Sequence, residues 1–247
     1  MMDISLQLYS IKEETAANFP EALMMARQAG YQGVEFAGYG GLKAEALARL
    51  LADCGLKAVS AHVGLPRLRE AFDAELDYAQ RLGYALVICP YSACETLDEA
   101  VSDAVFLEAC AQAAAKRGVT LGYHNHAHEF RNVFDGKRAM DVILERAPTL
   151  KFQPDVYWLA VGGADPVAYL TPLVQAGRVC AIHAKERATN GDANVYIGAG
   201  GIDFTALARL CPPDVYPWIV EQEAFSSSHA DGIAQSYAGL RRVFDAL

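Results

Sequence analysis

Along the chain, short runs of consecutive apolar residues alternate with longer stretches in which apolar positions recur every three or four residues. Ala85-Leu86-Val87-Ile88-Cys89 and Val179-Cys180-Ala181-Ile182 are examples of the short runs. A run apolar at every position suits a parallel strand covered on both faces, whereas a strand wetted on one face would alternate, and no alternating antiparallel pattern is expected here. The stretch 97–117, with its Ala- and Leu-rich face and terminal Lys116-Arg117, has the composition of a helix whose last turn complements the dipole. The joints repeat: Ala29-Gly30-Tyr31, Cys54-Gly55-Leu56, Leu82-Gly83-Tyr84, Arg117-Gly118-Val119, Ala147-Pro148-Thr149 and Ala176-Gly177-Arg178 each close a helix and open a strand. Glycine takes the left-handed conformation that ends a helix at little steric cost.

These joints predict strands near 4–9, 32–37, 57–62, 85–90, 119–125, 150–156, 179–184 and 217–222, each followed by a helix, the last near 230–245. Eight β/α units in a chain of 247 residues predict an α/β fold, a single (β/α)8 TIM barrel, with 1–247 as one catalytic domain. A doubly wound open sheet is the alternative. That fold usually has a Gly-rich first β/α turn, and none follows Ile4-Ser5-Leu6-Gln7-Leu8-Tyr9.

Composition narrows the partners. A hydrophobic content of 53% supports a large core, and a formal charge of −9 with pI near 5.1 argues against nucleic acid or an anionic membrane surface. A small polar substrate fits better, and a homo-oligomer is compatible with this surface. The start of the chain has no basic segment followed by an apolar one, and no window reaches the roughly 18 apolar residues of a spanning helix, so a cytoplasmic location is expected. The six cysteines, Cys54, Cys89, Cys94, Cys110, Cys180 and Cys211, form no C-x-x-C pair. They read as small core residues rather than as a zinc knuckle or a disulfide framework.

In a barrel of this kind the active site lies at the C-terminal ends of the strands, so polar residues there demand explanation. Strand 2 ends in Glu35, strand 3 in His62, strand 5 in His124-Asn125-His126 followed by His128-Glu129, strand 6 in Asp155, strand 7 in His183 and Lys185, and strand 8 in Glu221 and Glu223. Isolated charges in a low-dielectric cavity are costly, and a divalent cation would satisfy several of these groups together. Mixed carboxylate and imidazole donors suit Mn2+, Co2+, Zn2+ or Fe2+ better than Ca2+. Each group also has a plainer reading: His62 as a satisfied core histidine, Asp155 as the cap of a turn, Lys185 as a solvated end. Ile197-Gly198-Ala199-Gly200-Gly201-Ile202-Asp203-Phe204 lies where many barrels hold phosphate, yet glycines before an N-capping Asp203 are also an ordinary loop-to-helix joint.

Tyr123-His124-Asn125-His126 with Glu129-Phe130, His183-Ala184-Lys185-Glu186, Gly198-Ala199-Gly200 with Asp203-Phe204, and Trp218-Ile219-Val220-Glu221-Gln222-Glu223 together resemble the xylose-isomerase-like barrel proteins. That group, the sugar phosphate isomerases/epimerases, includes ketose 3-epimerases, inosose dehydratases and apurinic-site endonucleases. The resemblance implies one divalent metal held by His124, Asp155, His183 and Glu221. It also implies a departure, because the similar epimerases present glutamate where this chain has His124. An imidazole there leaves two carboxylates to balance a dication and removes one of two glutamate bases, leaving Glu221. The endonuclease branch needs more metals and a basic groove that this acidic chain does not offer.

The resulting expectation is an isomerase or epimerase acting on a keto-sugar or sugar phosphate. Glu221 removes a proton beside a metal-polarised carbonyl, His126 and Lys185 assist, and Glu35, His62, Glu129 and Glu223 bind substrate. An inosose-type dehydratase or lyase on a keto-polyol is the first alternative, and a non-catalytic sugar-binding barrel the second.

Overall fold

The computed structural model describes residues 2–247. Eight parallel strands form the barrel: β1 (Ile4–Gln7), β2 (Gly33–Phe36), β3 (Lys57–His62), β4 (Leu86–Cys89), β5 (Thr120–His124), β6 (Lys151–Gln153), β7 (Ile182–Ala184) and β8 (Trp218–Val220). They pair in the order β6-β5-β4-β3-β2-β1-β8-β7. The parallel bridges Phe152–Val179 and Asp155–His183 then bring β6 against the chain through β7, so the barrel is nearly closed. Eight helices form the outer ring: α1 (Phe19–Gln28), α2 (Ala44–Cys54), α3 (Leu65–Leu82), α4 (Leu97–Ala115), α5 (Ala139–Arg146), α6 (Pro166–Gln175), α7 (Phe204–Leu210) and α8 (His229–Asp245). Gly55 and Gly83 close α2 and α3 at φ of 67° and 91°, the left-handed caps that the repeating joints require. Among the described residues no helix is long and apolar enough to cross a membrane.

The main core lies between the strands and the helices, where Leu6, Val34, Val87, Leu121 and Phe152 are fully buried or nearly so. A second, smaller cluster joins Leu86 and Ile88 of β4 to Ala181 and Ile219, with Val59 and Cys180 against it. Since β4 and β8 are not neighbours in the sheet, this contact crosses the barrel interior and plugs it. All six cysteines are free, and every one except the half-buried Cys180 is buried, as small core residues should be.

Three details differ from the sequence expectation. β6 is shorter than 150–156, because Pro154 has no N–H for the ladder and Asp155 instead caps the short helix Val156–Val161. β7 is likewise confined to Ile182–Ala184. Two antiparallel hairpins also interrupt the repeat, Val133–Phe134 with Lys137–Arg138 and Glu186–Arg187 with Asn194–Val195. The first turns on Asp135-Gly136, both with positive φ, a two-residue turn chemistry that the apolar pattern does not register.

Helix α8 docks so closely on the loop before α7 that a Cβ at Gly239 would collide with the Ile197 carbonyl. Alanine in an ordinary helix interior gains about 1 kcal/mol over glycine. Here overpacking should reverse the sign, so G239A is expected to lose about 1–3 kcal/mol in urea denaturation. A raised midpoint would contradict this packing.

Candidate metal centre

Above the apolar plug, toward the C-terminal ends of the strands, lies a buried polar layer centred on Glu35, which is 0% exposed. Gln7 of β1 donates to its Oε1 at 2.7 Å. Ser60 of β3 and Gln153 of β6 donate to its Oε2 at 2.6 and 2.7 Å. His183 Nε2 lies 2.5 Å and His62 Nε2 3.0 Å from Oε1. Burial works against the ionised carboxyl, yet His62 and His183 outweigh it and hold Glu35 well below the usual carboxylate range. The expectation that Glu35 contacts substrate is therefore revised: its oxygens are spent on orienting the neighbouring strands and the His183 ring. Gln7, Ser60 and Gln153 are the partners that attention to charged residues misses, although a glutamine inside a buried strand is a visible signal.

With Nε2 committed to Glu35, His183 turns Nδ1 toward Glu221 Oε2 at 3.2 Å and Asp155 Oδ2 at 4.0 Å. One donor atom each from His124, Asp155, His183 and Glu221 lies within 4.8 Å of the others. Asp155 performs both roles considered for it. Its Oδ1 accepts the Trp158 N–H at 2.8 Å as a helix cap, and Asn125 Oδ1 accepts the Asp155 N–H at 2.9 Å. Its Oδ2 is buried with no hydrogen-bond partner, as is His124 Nδ1. An unpaired buried polar atom costs about 1–3 kcal/mol. Two of them, in a group of two carboxylates and two imidazoles, make a donor set that fits a borderline divalent cation. The carboxylate behind His183 is the usual support for a ligating imidazole. His62 forms a second close group with His124 and His183, but its Nε2 is engaged by Glu35 and by Gln153 Oε1 at 2.9 Å.

The charges at this site are strongly coupled. Burial and then its Glu35 and Glu221 partners act in opposite directions on His183, and the partners prevail, raising it to about 10. Burial drives Asp155 up to about 7, with the Lys185 ammonium opposing and the Glu221 charge reinforcing the rise. Glu221 resists burial through Lys185 and His183 and is lowered to about 2. His124 and His126 are both lowered, chiefly by burial, His126 to about 4. Lys185 is not solvated: it is 1% exposed, paired with Glu223, 3.9 Å from Glu221 Oε2, and 4.7 Å over the Trp158 ring.

His62, His124, His126, Glu221 and Glu223 line a cavity of about 460 Å³ together with Tyr9, Tyr91 and Trp158, while Asp155, His183 and Lys185 are buried outside that lining. The aromatic members were not visible from the sequence, because nothing in their local pattern distinguishes them from core or surface. Glu129, expected to touch substrate, is instead fully buried behind the wall. Its carboxylate accepts from Tyr123 OH at 2.8 Å and from the His126 N–H at 2.8 Å, fixing the loop that carries His126. The phosphate alternative for the 197–204 loop is also corrected. The Glu186 carboxylate already accepts the N–H groups of Gly198 and Ile202, at 3.3 and 3.1 Å, and Gly200 makes room for it.

Residues 23–243 match the xylose isomerase-like TIM barrel family. The chain belongs to that family. No curated protein matches it. Among solved structures, this xylose isomerase-like barrel is similar to a sugar phosphate isomerase/epimerase from Parabacteroides distasonis, with 22% identity over 98% of this chain and 95% of that one and a TM-score of 0.82. It also resembles a probable 3-DHS dehydratase from Bacillus anthracis, 15% identical over 97% and 99% of the two chains, TM-score 0.74. A D-allulose 3-epimerase from Methylomonas sp., solved with D-allulose, is 16% identical over 98% and 96%, TM-score 0.68. At these identities the similarity concerns the fold.

The Glu35–His183 pair gives the barrel a specific pH signature in protein freed of divalent cations. Glu35, depressed from an ordinary 4.5, contributes stability that is present above that value and lost as the pH falls toward its folded value. His183, raised from 6.5 to about 10, contributes stability that is fully present below 6.5 and lost as the pH rises through about 10. E35Q is therefore expected to cost about 3–5 kcal/mol at pH 5–6, the scale of a broken buried pair, and less at pH 3 and above pH 10. A cost in denaturation experiments that does not vary with pH would show that the pair acts as neutral hydrogen bonds.

Proposed function

We propose that this xylose isomerase-like barrel is a divalent-metal-dependent isomerase or epimerase of a small keto-sugar, acting by proton abstraction beside a carbonyl. The observation that carries the reading is the gathering of four donor groups within 4.8 Å, two of them with buried unpartnered atoms, of which His124 and Glu221 also line a cavity of about 460 Å³. His124, Asp155, His183 and Glu221 would hold the cation, with Mn2+, Co2+, Zn2+ and Fe2+ the ions suited to these donors. When bound, such a cation polarises a carbonyl and its neighbouring hydroxyl and so acidifies the adjacent C–H.

The remaining roles belong to the chain. Glu221, kept ionised by Lys185 and His183, is the base that removes the proton. Lys185, braced by Glu223 and the Trp158 ring, presents a fixed positive charge toward developing negative charge on oxygen. His126, neutral because burial lowers it and held by the Glu129 anchor, lies in the cavity wall, where its imidazole meets a hydroxyl or a returning proton. Support comes from the names of the similar structures, which include a sugar phosphate isomerase/epimerase and a D-allulose 3-epimerase. The whole chain acts as one catalytic domain, and the cytoplasm is the location that suits its free cysteines.

His124 favours a second reading. An imidazole at the end of β5 leaves Glu221 as the one carboxylate among the four donors suited to serve as base, and dehydration of a keto-polyol needs one base and one acid; a similar fold carries the name of a dehydratase. Solvent deuterium exchange into a panel of keto-sugars, followed by mass, separates the two. Gain of one mass unit with Mn2+ or Co2+ present supports epimerisation or isomerisation, and loss of water supports the dehydratase. No exchange, with no thermal stabilisation by either metal, supports a non-catalytic sugar-binding barrel.

D155N tests the ligand set without disturbing the helix cap, since asparagine also caps. Folding stability is expected to stay within about 1 kcal/mol of the parent while Mn2+ affinity in calorimetry falls by more than about 100-fold. Unchanged affinity would remove Asp155 from the site.

A further inference from the structure

The electrostatics of the cavity assign the substrate to a narrower class. We propose that the site takes an uncharged ketose or keto-polyol and discriminates against its phosphorylated or carboxylated counterparts. This rests on the proposed sugar chemistry at the same site and adds the charge of the substrate.

An anionic group needs a counter-charge or a set of free N–H donors, and Lys185, the ammonium beside the donor cluster, is already paired. Lys185 is the cation nearest the donor cluster, and it is buried between Glu221 and Glu223. In the glycine loop the N–H groups of Gly198 and Ile202 go to the Glu186 carboxylate and that of Gly201 to the Arg187 carbonyl, so the loop already holds an internal anion. A dication held by Asp155 and Glu221 would be neutralised by those two carboxylates, and Lys185 and Glu223 cancel each other. Glu35, held by Gln7, Ser60 and Gln153, stays within the buried layer and adds negative rather than positive charge beneath the site. Among the described residues the cavity wall holds no lysine or arginine to meet the roughly −1.5 to −2 charge of a phosphate monoester at neutral pH.

At the rim, Glu223 retains 35% of its side-chain exposure and places an acidic oxygen at the mouth. Lys12, on the exposed helix Lys12–Ala17, lies 4.4 Å over the Tyr9 ring and donates to Tyr9 OH at 3.3 Å, which makes it a cation at the rim rather than in the wall. What the wall does offer is neutral chemistry. Tyr9, Tyr91 and Trp158 give aromatic faces for the C–H surface of a sugar, and the His126 imidazole lies in the same wall. Tyr91 is 51% exposed and Tyr9 43%, a pair of aromatic side chains left open at the entrance.

The test is calorimetric binding to the Mn2+-loaded protein of a panel of free ketohexoses and ketopentoses against the same sugars bearing a terminal phosphate, with deuterium exchange measured in parallel. The expectation is at least 10-fold tighter binding of one or more free ketoses than of their phosphates, with K12A leaving that ratio unchanged. Equal or tighter binding of the phosphates overturns the assignment, as does failure of any free ketose to bind. A ratio that collapses in K12A also overturns it, by tracing selectivity to the rim lysine. Free ketoses that bind selectively but do not exchange deuterium would support this assignment while removing the proposed proton abstraction.

Discussion

The site depends on one buried contact, that between the Glu35 carboxylate and His183 Nε2 at 2.5 Å. Glu35 comes from β2 and collects donors from β1, β3, β6 and β7, so a single carboxylate ties together strands on opposite sides of the barrel. A carboxylate at 0% exposure is sustainable only because each oxygen is met by donors and the histidines supply positive charge. The consequence for chemistry is directional. Because Nε2 is held from below, Nδ1 of His183 turns to the side where Asp155 and Glu221 converge on it.

Around that fixed ring, the remaining donors are placed by local backbone rules rather than by their own chemistry. Pro154 stops β6, which lets Asp155 cap the next helix with one oxygen and leave the other free. Asn125 holds the Asp155 backbone, and Glu129 holds the loop after β5, so both histidines of that strand end reach the cavity. Without a cation, the cluster is left with an acid raised by burial toward neutrality and with an unpartnered imidazole nitrogen. A divalent ion is the simplest species that would satisfy both.

Much of this is legible in the sequence, for identifiable reasons. Buried parallel strands must be apolar throughout, so Glu221 after Trp218-Ile219-Val220 and His183 after Ala181-Ile182 stand out at the strand ends. The xylose isomerase-like resemblance implies the same four residues that the fold gathers within 4.8 Å. Strand identity cannot report which oxygen faces which neighbour. Glu35 and Glu129 therefore looked like substrate contacts and prove to be supports. The glycine loop looked open to phosphate because the sequence does not show that Glu186 folds back into it. Tyr9, Tyr91 and Trp158 come together only through the closure of the barrel, which brings β1, β4 and β6 to one mouth.

The central claim is that His124, Asp155, His183 and Glu221 together bind one divalent cation. Anomalous X-ray diffraction from crystals grown with Mn2+ tests it most directly. A single strong manganese peak bounded by all four side chains, with Glu35 still on His183 Nε2, is the predicted result. A map in which manganese is absent from this cluster, or bound without His124 and Asp155, would contradict it.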